Sequence, residues 1–150
     1  MSKFEREVEI DDSVEKVWAV LTDPNTWPKW FPYVDSVSNV TSFSEGSTFN
    51  WESNGQQGTA TVVNLEPHKR LEVLTQLGDD KDTHVFTLKS SGGFFGLADD
   101  EAKVEYKLDT MTAGGILGRF IAGDNPKDML RVKNATNALR KAVESLYPKA

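Results

Sequence analysis

Between residues 48 and 110 the chain alternates apolar and polar side chains with period two in one short run after another, and from Pro126 it changes to a single apolar stripe of helical period. Runs of the first kind are half-buried strands, each with one face to cover. A series of such strands followed by one long amphipathic helix has few ways to bury both apolar surfaces, and the simplest is a sheet laid against that helix.

The elements can be placed along the chain. Phe4, Val8 and Ile10 alternate with Glu5, Glu7 and Glu9, which makes a first strand. Ser13 is placed to cap a short helix carrying Val14, Val17, Trp18 and Leu21, which ends near Asp23-Pro24. Residues 25–33 contain two prolines and four aromatics, the pattern of a short helix and a turn. Residues 34–41 form a strand candidate, and Phe49 and Trp51 mark the next strand. Asn54-Gly55 is a hairpin turn signal leading to a return strand over 58–65. After a turn at 66–69 comes a strand over 70–76, a turn at 78–81 and a strand over 83–89 with His84, Phe86 and Leu88 on one face. Residues 90–101 are Gly-rich and then acidic, as in an exposed hairpin loop. Val104, Tyr106, Leu108 and Thr110 give the clearest alternation of all. Residues 113–124 are Gly-rich and apolar. Asn125 and Pro126 then open the long helix, whose stripe is Met129, Val132, Ala135, Leu139, Ala142, Val143 and Leu146, and Pro148 stops it.

Composition narrows the function classes. Residues 1–150 suit one domain large enough to hold a core without staples. Cysteine is absent, which excludes disulfides, thiolate metal sites and cysteine nucleophiles. A net charge of -6 with no extended basic cluster argues against nucleic acid as a partner. No apolar run has the length of a membrane span, and residues 1–10 lack the apolar stretch of a secretory leader, so no integral membrane association and a cytoplasmic location are expected. Phosphate loops, dinucleotide fingerprints, nucleophile elbows and zinc-protease motifs are all missing, so no cofactor is called for. The acidic groups Asp79-Asp80 and Asp99-Asp100-Glu101 lack calcium-loop spacing and read as solvated turns, with no metal site.

Three local patterns go further. Residues 8–23 run from strand into helix with a Val17-Trp18 pair, Trp27-Pro28-Lys29-Trp30-Phe31-Pro32-Tyr33-Val34 follows, and Leu65-Glu66-Pro67-His68-Lys69-Arg70-Leu71 turns between two strands. With the element order, these make the chain resemble the START-like (Bet v 1-like) superfamily, in its bacterial polyketide cyclase/dehydrase and lipid-transport branch. The resemblance implies an α+β helix-grip fold, a curved antiparallel sheet wrapped around the C-terminal helix with two short helices after the first strand. It also implies an internal cavity for a hydrophobic small molecule. The superfamily spans carriers, receptors, ring-closing enzymes and chaperone cofactors, so the fold leaves function open. Its oxygenase-type iron site needs a His pair and a carboxylate, and His68 and His84 stand on a turn and a strand.

On this reading the cavity wall comprises Trp51, Val62, His84, Phe86, Leu88 and Tyr106 from strands, with Met129, Ala135 and Leu139 from the long helix and Leu117 and Phe120 closing the mouth. Each is equally an ordinary core residue. His84 would bond a ligand carbonyl or move a proton, or else be a satisfied buried histidine. Tyr106 would polarise a carbonyl or simply pack its ring. Arg6, on the apolar phase of the first strand, would pair with an anionic group or reach solvent. Asn64 shares the alternation of Ala60 and Val62, as a polar contact or a strand-end residue. Trp27, Trp30, Phe31 and Tyr33 form a lid or a seal, the resemblance favouring a seal for Trp30. Residues 92–96, with Phe94 and Phe95 among glycines, suit a gate or a partner patch. Three functions follow: a carrier or sensor of a lipid, polyketide-like or isoprenoid compound; a cyclase/dehydrase-type enzyme; or a chaperone-cofactor-like interaction protein. Oligomeric state is unreadable.

Overall fold

In a computed structural model of the protein, residues 2–31, 33–90, 101–111 and 126–146 are described. Strand β1 (Ser2–Ile10) leads into helix α1 (Val14–Leu21), a 3-10 turn (Pro24–Thr26) and the one-turn helix α2 (Trp27–Trp30). Six strands follow, β2 (Ser36–Ser38), β3 (Thr48–Ser53), β4 (Gln56–Glu66), β5 (Arg70–Leu77), β6 (Asp80–Ser90) and β7 (Ala102–Met111), and then the long helix α3 (Pro126–Leu146). The strands form one antiparallel sheet in the order β1-β7-β6-β5-β4-β3-β2. This is the helix-grip arrangement, a curved sheet of seven strands with the short helices after β1 and a C-terminal helix.

Local chemistry accounts for the joints. Ser13 Oγ accepts a hydrogen bond from the Lys16 amide at 3.3 Å and caps α1. Asn54 and Gly55 both take positive φ, 52° and 78°, as a two-residue hairpin between β3 and β4 requires. The expected boundaries shift in places. Only three residues of the 34–41 candidate pair as a strand, and the turn expected at 78–81 is shorter because Asp80 and Lys81 already belong to β6.

Helix α3 packs chiefly on β1, α2, β7 and α1. Its buried stripe is Val132, Ala135, Thr136, Leu139, Ala142 and Val143. Leu146, expected on that stripe, is instead exposed at the helix end. Helix α1 lies against β6 and β7 with Val17, Trp18, Val20 and Leu21 buried, so it covers the end of the sheet where β1 finishes. No helix among the described residues is long and apolar enough to cross a membrane.

Candidate functional site

The strand registers define layers across the concave face. At the end covered by α1 the layers are apolar: Ile10 faces Ala102, and Leu88 and Val8 flank Val104. Next come Leu71, Phe86 and Tyr106, and after them Val62, Val73, His84, Leu108 and Phe4. The last layer changes character, since Thr75, Asp82 and Thr110 stand side by side across three strands.

Two hydrogen bonds tie this polar end together. His84 Nε2 lies 2.8 Å from Thr75 Oγ1, and His84 Nδ1 lies 2.6 Å from Tyr106 Oη. All three residues are buried, His84 and Tyr106 at 1% and 0% exposure. A histidine in this environment is costly unless both ring nitrogens are satisfied, and here both are. Phe86 stacks on the Tyr106 ring at 4.5 Å between centroids, and Phe31 covers the imidazole at 4.7 Å. The chain Thr75–His84–Tyr106 is thus a polar thread in an aromatic surround.

A cleft of about 280 Å³ opens beside it, lined by Tyr33, Trp51, Ser53, Asn54, Thr75, Leu77, Asp80 and Asp82. Thr75 belongs to both the cleft wall and the thread. Trp51 lies over Gly58 and donates from Nε1 to the Thr59 carbonyl at 2.9 Å. A Cβ on Gly58 would come within 2.8 Å of Trp51 Nε1, so the wall depends on a glycine at that position. Tyr33, at the rim, is 56% exposed and held at φ 61°, a left-handed conformation that costs a bulky residue energy.

Several expected wall residues stand on this concave face: Trp51, Val62, His84, Phe86, Leu88 and Tyr106 are all buried there, and Ala135 and Leu139 are buried on α3. Leu117, Phe120 and the 92–96 loop lie outside the described residues, as does the side chain of Met129. Trp27, Trp30 and Phe31 form a seal: Trp27 is fully buried, stacks on Phe31 at 4.2 Å and donates from Nε1 to the Leu21 carbonyl at 3.0 Å. Tyr33 stands at the rim of the cleft and is largely exposed.

Asn64 does not share the face of Val62, because a one-residue bulge at Val63 shifts the register and turns Asn64 outward. There it accepts a hydrogen bond from Arg70 at 2.7 Å and donates to Glu45 at 3.3 Å. Arg6 keeps the phase of Phe4 and Val8 but is exposed. Among the described residues its strand pairs only with β7, and a long side chain at a sheet edge reaches water readily. Asp80, expected in a solvated turn, instead begins β6 and lines the cleft. Thr75 was missed; its signal was the alternation Leu71, Val73, Thr75, which places its hydroxyl on the inner face.

Residues 1–144 match the family described as polyketide cyclase / dehydrase and lipid transport. The chain belongs to that family. Among solved structures it is similar to the protein XoxI of Bacillus cereus, at 15% identity and a TM-score of 0.72, covering 99% of this chain and 100% of that one. A START superfamily protein of Mycobacterium smegmatis gives 18% identity and 0.69, with 97% and 99% covered. The di-domain ARO/CYC BexL from the BE-7585A biosynthetic pathway gives 18% and 0.73, with 99% of this chain and 48% of that one covered. No curated protein matches the sequence. Identities this low carry the fold, and the family carries a hydrophobic-ligand-binding architecture.

Proposed function

We propose that residues 1–150 act as one domain that binds an apolar small molecule bearing a polar oxygen, with the apolar body against the aromatic part of the concave face and the oxygen at Tyr106, whose hydroxyl His84 orients. The observation that carries this reading is the Thr75–His84–Tyr106 thread, which sets a hydrogen-bonding group into a surface otherwise built of Val62, Phe86, Leu88 and similar side chains. Ligand pockets have this composition, mostly apolar with a few placed polar groups. Helix α3 sits mainly over β1 and β7, which favours room over β4 and β5. Affinity would come from apolar burial at about 25 cal/mol per Å² and selectivity from the oxygen contact. Ala135, Leu139 and Met129 would bound the chamber from the helix, with Leu117 and Phe120 at its mouth.

A carrier or sensor role is the simplest form of this activity, and the ligand class is a polyketide-like, lipid or isoprenoid compound. A dehydrase or cyclase role is the second reading. What favours it is that His84 is held between two hydroxyls, the arrangement a general acid or base needs to be oriented and supplied.

Binding of naphthalene and of acetonaphthone, which adds a ketone to the same rings, tests the proposal. Acetonaphthone should bind about tenfold more tightly, the value of one hydrogen bond, and His84→Leu should erase that preference. Equal affinities in the wild-type protein, or a preference that survives His84→Leu, would refute it. Native mass spectrometry of the gently purified protein should also show a co-purified apolar compound.

A further inference from the structure

Both ring nitrogens of His84 are engaged, and each partner is a hydroxyl. A neutral imidazole has one donor and one acceptor nitrogen, while a hydroxyl can donate and accept. The thread therefore has two self-consistent states. In one, Thr75 donates to Nε2 and Nδ1 donates to Tyr106. In the other, Tyr106 donates to Nδ1 and Nε2 donates to Thr75. The two differ by reversal of every bond, and neither leaves His84 unsatisfied.

The ends of the thread differ. Thr75 lies on the wall of the cleft with Tyr33, Asp80 and Asp82, while Tyr106 lies in the interior under Phe86. We infer that Thr75 is a proton port, and that the thread carries a proton from water in the cleft to an oxygen of the bound molecule without opening the interior. The step balances. Cleft water gives a proton to Thr75 Oγ1 as Thr75 passes its own to His84 Nε2. Nδ1 releases its proton to Tyr106 Oη, and Tyr106 passes its own to an enolate or alkoxide oxygen of the ligand. The ligand oxyanion ends as a hydroxyl and the cleft water as hydroxide, which buffer neutralises; no bond to carbon is made or broken. The bonds then point the other way, and tautomer exchange with rotation of both hydroxyls restores them. This role rests on the reading that the ligand oxygen sits at Tyr106, whereas the port itself exists in the empty protein. Thr75 is a relay residue and touches no atom of the ligand.

The test uses the ligand-free protein, so that it fails independently of the binding proposal. The chain has two histidines, and His68, exposed on a turn, serves as the internal reference. Histidine-labelled NMR can follow exchange of the His84 ring proton with water. In the wild-type protein this proton should be far less protected than the backbone amides of Val73 and Leu108, which flank it in the sheet. Thr75→Val, nearly the same shape without the hydroxyl, should slow the exchange about tenfold, the rate effect of losing one hydrogen-bonded step, while Thr75→Ser keeps it near the wild-type rate. A His84 ring proton as protected as those amides would overturn the proposal without any variant. So would unchanged exchange in Thr75→Val, or equal slowing in Thr75→Val and Thr75→Ser, which would point to packing.

Discussion

The two ends of the concave face are made of the same strands and differ in what those strands carry. At the end covered by α1, Ile10, Leu88, Val104 and Ala102 are buried against one another, and Trp18 of α1 meets His68 edge-on at 6.1 Å. At the other end the same strands present Thr75, Asp82 and Thr110, with a cleft beside them. Trp27, Trp30, Phe31 and Phe86 form a cluster of ring contacts that reaches His84 through Phe31. Across its strands the first end is buried through apolar side chains. The second keeps buried polar groups that a core has no energetic reason to hold, because matched apolar side chains would do as well. On the proposed function, stability resides mainly at the first end and ligand selectivity at the second.

This contrast can be broken by substitution, with unfolding in urea as the measure. Trp27→Ala should have the largest effect, about 4 kcal/mol, since it empties a fully buried indole site and strands the Leu21 carbonyl. A loss below about 1 kcal/mol would mean that the seal is not a core element. His84→Leu should cost about 2 kcal/mol by leaving the Thr75 and Tyr106 hydroxyls without their shared partner. The smallest change should come from the triple variant Thr75→Val/His84→Leu/Tyr106→Phe, within about 1 kcal/mol of the wild-type protein, because all the members of the thread are replaced together. If the triple variant is no more stable than His84→Leu alone, the thread is a structural device and the contrast between the ends fails.

The face on which His84, Phe86, Leu88 and Tyr106 stand was legible because period two holds without interruption through β6 and β7. It failed at Asn64, where a single bulge reverses the phase and sequence gives no sign of it. For Arg6 the phase was right, and of its two readings the edge position of β1 decided for solvent. Thr75 was visible as an inward position, yet threonine is so ordinary in strands that nothing marked it until its partner was known.

The amino-acid sequence by itself determined the order of elements, the helix-grip architecture and the inward phase of most wall residues, because these follow from short-range periodicity, caps and turn chemistry. Only the tertiary structure decided that Thr75, His84 and Tyr106 form one hydrogen-bonded thread ending at a cleft. They come from three strands, and their meeting depends on the register of β5 against β6 and of β6 against β7. Register is a property of paired strands packed on a common core, so no local stretch of the chain encodes it.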